Sequence, residues 1–194
     1  MPEAFGGTGA GAKAPTAQAS FLYDPLNDII VDAKLAPLST DERTLAKEHL
    51  MALSRLTSIK KKLILFDHGY PSSDLIAALQ ASHCDFLFRV RSKFSIALDA
   101  LDMGVDPFDF PCDDGSTIPL VAVKLTLDSG ETELLLTSIG EAQEIIDDSS
   151  DDTSKYCYKA NVNHAIGVYK DAFIAVVLEP DSVKFIWRLC KIVQ

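Results

Sequence analysis

The chain has 194 residues, room for one domain with a real core and too few for two comfortable ones. Hydrophobic residues at 47% and charged residues at 24% exclude a wholly disordered chain. A net charge of −10, from 28 acidic against 18 basic residues, argues against strong unaided nucleic-acid binding, which Lys and Arg drive.

Four cysteines, at Cys84, Cys112, Cys157 and Cys190, form no CxxC pair, so a structural zinc site is not expected. Reduced thiols fit a cytoplasmic protein. The sequence has neither a membrane-length apolar run nor a signal peptide, and the expectation is a soluble, cytoplasmic chain.

In chain order, residues 1–18 are rich in Gly and Ala and read as a flexible tail. The run Gly6 to Lys13 is no phosphate loop, because no Gly directly precedes Lys13 and no Ser or Thr follows it. Phe21-Leu22-Tyr23 and Ile29-Ile30-Val31 are β-favouring runs around turn residues, which predicts a hairpin. Ser39-Thr40-Asp41-Glu42 opens a helix capped by Ser39 or Thr40. Its apolar stripe is Leu45, His49, Leu50, Leu53 and Leu56, and Lys60, Lys61 and Lys62 lie near its end.

Leu63 to Phe66 is a continuous apolar run, expected as a strand buried on both faces. A helix starting at Pro71-Ser72-Ser73-Asp74 and a strand over Asp85 to Arg91 complete a βαβ unit with parallel strands. Residues 92–118 read as loop, and Ile118 to Leu127 with Glu133 to Leu136 as a β-hairpin. The stretch 140–154 is acidic and reads as a linker. Residues 155–194 read as a C-terminal helical segment, with helices over Asn163 to Leu178 and Asp181 to Val193 broken at Pro180.

The informative point for chemistry is Asp67, at the carboxyl end of a buried parallel strand and ahead of the Gly69 turn. Such positions hold ligand-binding groups in α/β folds, and a carboxylate there suits a hard cation such as Mg²⁺. The alternative is an aspartate that caps the next helix or satisfies turn amides. Arg89, Arg91 and Lys93 alternate along a strand and, with Lys60, Lys61 and Lys62, could contact DNA phosphates or form a solvated edge. His49 reads as a satisfied core or partly exposed histidine, His164 as a capping or exposed one, and adjacent His83 and Cys84 as facing apart. The aspartates from Asp99 to Asp114 lack calcium-loop spacing.

Leu63-Ile64-Leu65-Phe66-Asp67-His68-Gly69-Tyr70-Pro71-Ser72 resembles the motif around the second catalytic aspartate of bacterial insertion-sequence DDE transposases, in the group typified by insertion sequence four. His68 stands where that family usually has Arg. Ala19 to Asp28, Pro37 to Arg43, Asp85 to Val90, Leu134 to Ser138 and Tyr158 to Gly167 resemble further pieces of the family in the same order.

The resemblance implies an α/β fold: an incomplete RNase H-like mixed sheet over residues 19–139, with flanking helices and an inserted β-hairpin region. It also implies DNA transposition by metal-dependent strand cleavage and transfer, with three carboxylates on Mg²⁺ and Asp67 as the second of them. The implied partners are DNA at insertion-sequence ends and full-length transposase. The first aspartate belongs to a strand ahead of the hairpin, and the third, a Glu in a Tyr-x₂-Arg-x₃-Glu-x₆-Lys pattern, finds no match at Tyr156, Tyr158 or Tyr169. An inactive, truncated and internally deleted copy is therefore expected, or a non-catalytic DNA- or transposase-binding remnant.

Overall fold

A computed structural model of the chain describes residues 17–24, 27–56, 62–126, 130, 132–140 and 173–178. Strands β1 (Ala17–Asp24) and β2 (Ile29–Pro37) pair antiparallel, with a bulge between Leu22 and Tyr23. The hairpin is the one read from sequence. Its corner is held by Asp24, which accepts the Asn27 backbone N–H at 3.1 Å and Nδ2 at 2.6 Å.

Helix α1 (Glu42–Ser54) follows, and its N-cap is Asp41, not Ser39 or Thr40. The Asp41 carboxylate accepts the Arg43 N–H at 3.0 Å and also pairs with the Arg43 guanidinium, which fixes the cap there. The helix stops at Ser54, short of Leu56, and its last turn holds no basic residue. Lys62 instead begins β3 (Lys62–Phe66), and Lys60 and Lys61 lie outside the described residues.

Helix α2 (Ser73–Ala81) begins on Ser72, whose Oγ accepts the Leu75 N–H at 3.3 Å, and leads into β4 (Asp85–Val90). Strands β3 and β4 pair in parallel, with Leu63 opposite Asp85 and Phe66 opposite Phe88, as the βαβ reading requires. Alternation along them sends Ile64, Phe66, Phe86 and Phe88 into one core with Leu50 and Leu53 of α1 and Leu75, Ile76 and Leu79 of α2. Phe66 stacks on Phe88 with centroids 4.9 Å apart.

The supposed loop over residues 92–118 needs correction: it contains the short helix α3 (Ile96–Asp99) and strand β5 (Gly104–Pro111). Phe108 and Phe110 point inward at alternate positions. Because β5 is an edge strand, Pro107 and Pro111 cost it no needed ladder bond. β6 (Thr117–Thr126) and β7 (Thr132–Thr137) extend this antiparallel run, and β7 closes onto β4.

The second correction concerns the C-terminal part. Phe173–Leu178, expected within a helix, is strand β8. Its run Phe-Ile-Ala-Val-Val-Leu favours an extended chain between two neighbours over a helix that must show one face to water. It pairs antiparallel with β1 and parallel with β3. The eight-stranded order is β2-β1-β8-β3-β4-β7-β6-β5, so β8 joins the hairpin to the parallel pair and leaves no open edge between them.

With a hairpin first, a parallel βαβ unit next and helices α1 and α2 against the sheet, the fold is a mixed α/β arrangement of RNase H-like type. The tail expected over residues 1–18 gives up Ala17 and Gln18 to β1, and the rest of it (1–16), the acidic linker (141–154) and the flanks of β8 (155–172 and 179–194) lie outside the described residues. Among the described residues no helix is long and apolar enough to cross a membrane.

Candidate functional site

Asp67 is the first residue beyond β3, at its carboxyl end, where the chain turns through His68 and Gly69 into the buried Tyr70. Gly69 has φ +95°, a conformation that L side chains rarely adopt, so the corner depends on glycine. The parallel register that sets Phe66 beside Phe88 brings Asp67 next to Arg89 of β4. Arg89 Nη1 lies 3.5 Å from Asp67 Oδ1.

The same guanidinium reaches the other way to Glu133 of β7. Its Nε and Nη2 both donate to that carboxylate, the Nη2 bond at 2.9 Å. Arg89 faces Leu135 across the β4–β7 ladder, so Glu133 is its diagonal neighbour on the same face, within reach of a long side chain. One guanidinium thus spans two carboxylates from the strands on either side of its own. The Glu133 hydrogen bonds come first among the effects that raise the Arg89 pKa, burial opposes them, and Asp67 adds to the rise.

His68 Nε2 stands 3.9 Å from Asp67 Oδ1, and its Nδ1 is buried without a hydrogen-bond partner. Burial lowers the His68 pKa, and the nearby Arg89 charge lowers it further. Glu133 escaped the sequence reading. The signal is an acid directly ahead of the apolar run Leu134 to Leu136 of β7, 6% exposed once folded.

Among the described residues, the basic side chains named from sequence do not gather into one patch. Lys62 begins β3 and Asp67 follows its other end, about 17 Å apart at the usual strand rise. Arg91 is exposed and lies by the Asp67 turn, its Nη2 3.9 Å from where a Cβ on Gly69 would stand. Lys93 is exposed in the left-handed region at φ 67°, and its backbone N–H donates to Asp99. Arg89, turned to its two carboxylates, is not offered to solvent as the other two are.

Divalent metal chemistry needs several hard donors converging on one point. Among the described residues, no three His, Cys, Asp or Glu side chains come together in that way. A cation, the Arg89 guanidinium, already stands between the two nearest carboxylates. The described residues therefore do not fit a metal site.

A second polar cluster lies on the hairpin side of the sheet. His49 Nδ1 is 2.8 Å from Asp32 Oδ2, and Nε2 is 3.0 Å from Ser20 Oγ. The order Ser–His–Asp is that of a nucleophilic triad, yet Ser20 is 1% exposed and His49 0%, so no substrate reaches the hydroxyl. It is a satisfied core histidine. Burial lowers the His49 pKa against the opposing pull of Asp32.

The transposase DDE domain family matches residues 2–134 of this chain. Among solved structures, a piggyBac transposase in a synaptic complex with hairpin DNA is similar at 18% identity and a TM-score of 0.39. That likeness covers 72% of this chain, which spans only 31% of the piggyBac chain. No curated protein matches the chain. A family match over more than two-thirds of the sequence, on the same stretch that folds as hairpin, βαβ unit and antiparallel run, decides the matter: the chain belongs to the DDE-domain transposases.

Proposed function

We propose that this chain derives from an insertion-sequence transposase, its family's activity being metal-dependent cleavage and transfer of DNA strands, and that this copy does not perform that reaction by itself. The observation carrying the proposal is the state of Asp67. It is the residue that the family motif marks as catalytic, it faces the Arg89 guanidinium, and no metal-binding group forms around it among the described residues. A two-metal phosphoryl transfer needs carboxylates free to bridge two ions, and one engaged aspartate does not supply that.

The direct test is cleavage and strand transfer of insertion-sequence ends by the purified chain, with Mg²⁺ or Mn²⁺ and an Asp67→Ala control. The expected outcome is the same background for both proteins. Metal-dependent activity that the substitution abolishes would overturn the proposal and make Asp67 a working metal ligand.

A second reading, a non-catalytic remnant that binds other transposase molecules, is favoured by the outer edge of β2. That strand ends the sheet, and Ile29, Ile30 and Leu35 on it are 51%, 59% and 72% exposed. An exposed apolar edge strand is a template for pairing with another chain. Full-length transposase is the partner that this reading names. DNA is the other, through Arg91, Lys93 and the lysines Lys60 to Lys62 at a cytoplasmic site of action. Binding through these cations releases counterions from the DNA and should weaken steeply with salt.

A further inference from the structure

Among the described residues β2 pairs on one side only, with β1, and its other edge is open. β1 serves as a ruler along that edge. Ala33 lies opposite Phe21, Lys34 opposite Ser20 and Leu35 opposite Ala19. The bulge takes Val31 out of step, so that Asp32 lies opposite Leu22 and Ile30 opposite Tyr23. Counted on this ruler, Lys34 and Asp32 stand one step either side of Ala33, and Leu35 and Ile30 two steps either side. The strand is its own complement about Ala33. A second β2 laid antiparallel across a twofold axis at that point sets Lys34 against Asp32 and Leu35 against Ile30, each pair made twice.

We propose that β2 is a dimerisation strand, which pairs antiparallel with β2 of a second copy of this chain about Ala33 and joins the two sheets edge to edge. The proposal rests on the reading of β2 as an open pairing edge and names an identical chain as the partner. Charge selects the register. Moving the axis one step centres it on Lys34 or on Asp32, and two like charges then meet across it. Moving it two steps centres it on Leu35 or Ile30 and carries the other of these past the end of the facing strand. Only the axis at Ala33 covers both, and they are 72% and 59% exposed in the single chain. The axis itself falls on an exposed alanine, small enough to meet its own copy without a clash.

The test uses the full chain, first without any substitution. Sedimentation equilibrium should give twice the mass of one chain, and Leu35→Lys should weaken this self-association at least tenfold. Crosslinking under mild oxidation reads the register, since residues directly opposite across an antiparallel ladder lie about 4.5–5.5 Å apart, within disulfide reach. Ala33→Cys should form a linked dimer that the native chain, with its own four cysteines, does not form. Ile30→Cys and Leu35→Cys should each stay unlinked alone and link to one another when mixed. All three positions are exposed, and circular dichroism should show each variant folded like the native chain. A monomeric native chain would overturn the proposal. So would a folded Ala33→Cys chain that does not link, or a Leu35→Cys chain that links to itself. If such a chain still binds full-length transposase, the earlier reading of β2 stands and this one falls.

Discussion

His49 shares the buried face of α1 with Leu45, Leu50 and Leu53, and an imidazole survives there because both ring nitrogens have partners. His49→Ala strands the Ser20 hydroxyl and removes one partner of Asp32, so a loss of about 2–3 kcal/mol is expected in denaturant unfolding. The pH dependence has a definite sign. Burial keeps the folded pKa of His49 below its ordinary 6.5, so the unfolded chain takes up the proton first on acidification. The contribution is complete above about pH 6.5 and is lost as the pH falls below it. His68, also lowered by burial, adds in the same direction. For Asp32 burial opposes ionisation, but hydrogen bonds from His49 and Lys34 outweigh it, and its contribution fades only further down, as pH falls through its lowered value. Unfolding midpoints between pH 7.5 and 5 should therefore decline, less steeply in His49→Gln. At the neighbouring turn, Gly69→Ala places a Cβ at φ +95° and should cost about 1–2 kcal/mol, read from the same curves.

Among the elements, the two outer strands handle their exposed edges differently. β5 carries Pro107, Pro111, Asp106 and Asp109, which discourage pairing with another chain. β2 presents Ile29, Ile30 and Leu35 instead. Leu35→Lys should weaken association with full-length transposase several-fold in sedimentation, with the melting curve unchanged because Leu35 is already in water. An equal affinity for the native and substituted chains would remove β2 as the contact. Legibility in the sequence followed the same physics. The β1–β2 hairpin, β3, α2 and β4 were readable because turn residues, an unbroken apolar run and a Ser cap act locally. β5 was misread because Pro and Asp suggest loop unless its edge position is known. The α1 cap moved to Asp41 because three adjacent residues could serve, and the Arg43 contact chose among them.

For the whole molecule, β8 carries the continuity of the sheet, since among the described residues it lies between β1 and β3 and pairs with both. Ala175 pairs with Ile64 at the centre of the parallel ladder. Ala175→Pro removes a backbone donor there and should cost about 3 kcal/mol or more, with hydrogen-exchange protection falling in β1 and β3 together. Loss confined to β8, with β1 and β3 unaffected, would show that the two halves of the sheet hold without it.

By itself the sequence determined the family, the hairpin, the βαβ unit and the position of Asp67 at the end of a buried strand, because each rests on contiguous residues. Only the tertiary structure decided which charge meets that aspartate. Arg89 is 22 residues from Asp67 and 44 from Glu133, and nothing local links them until parallel and antiparallel registers align three strands. The fate of Phe173–Leu178 was likewise decided by its neighbours. An apolar run of that length accepts either helix or strand, and the free ladder bonds of β1 and β3, distant in sequence, made it a strand.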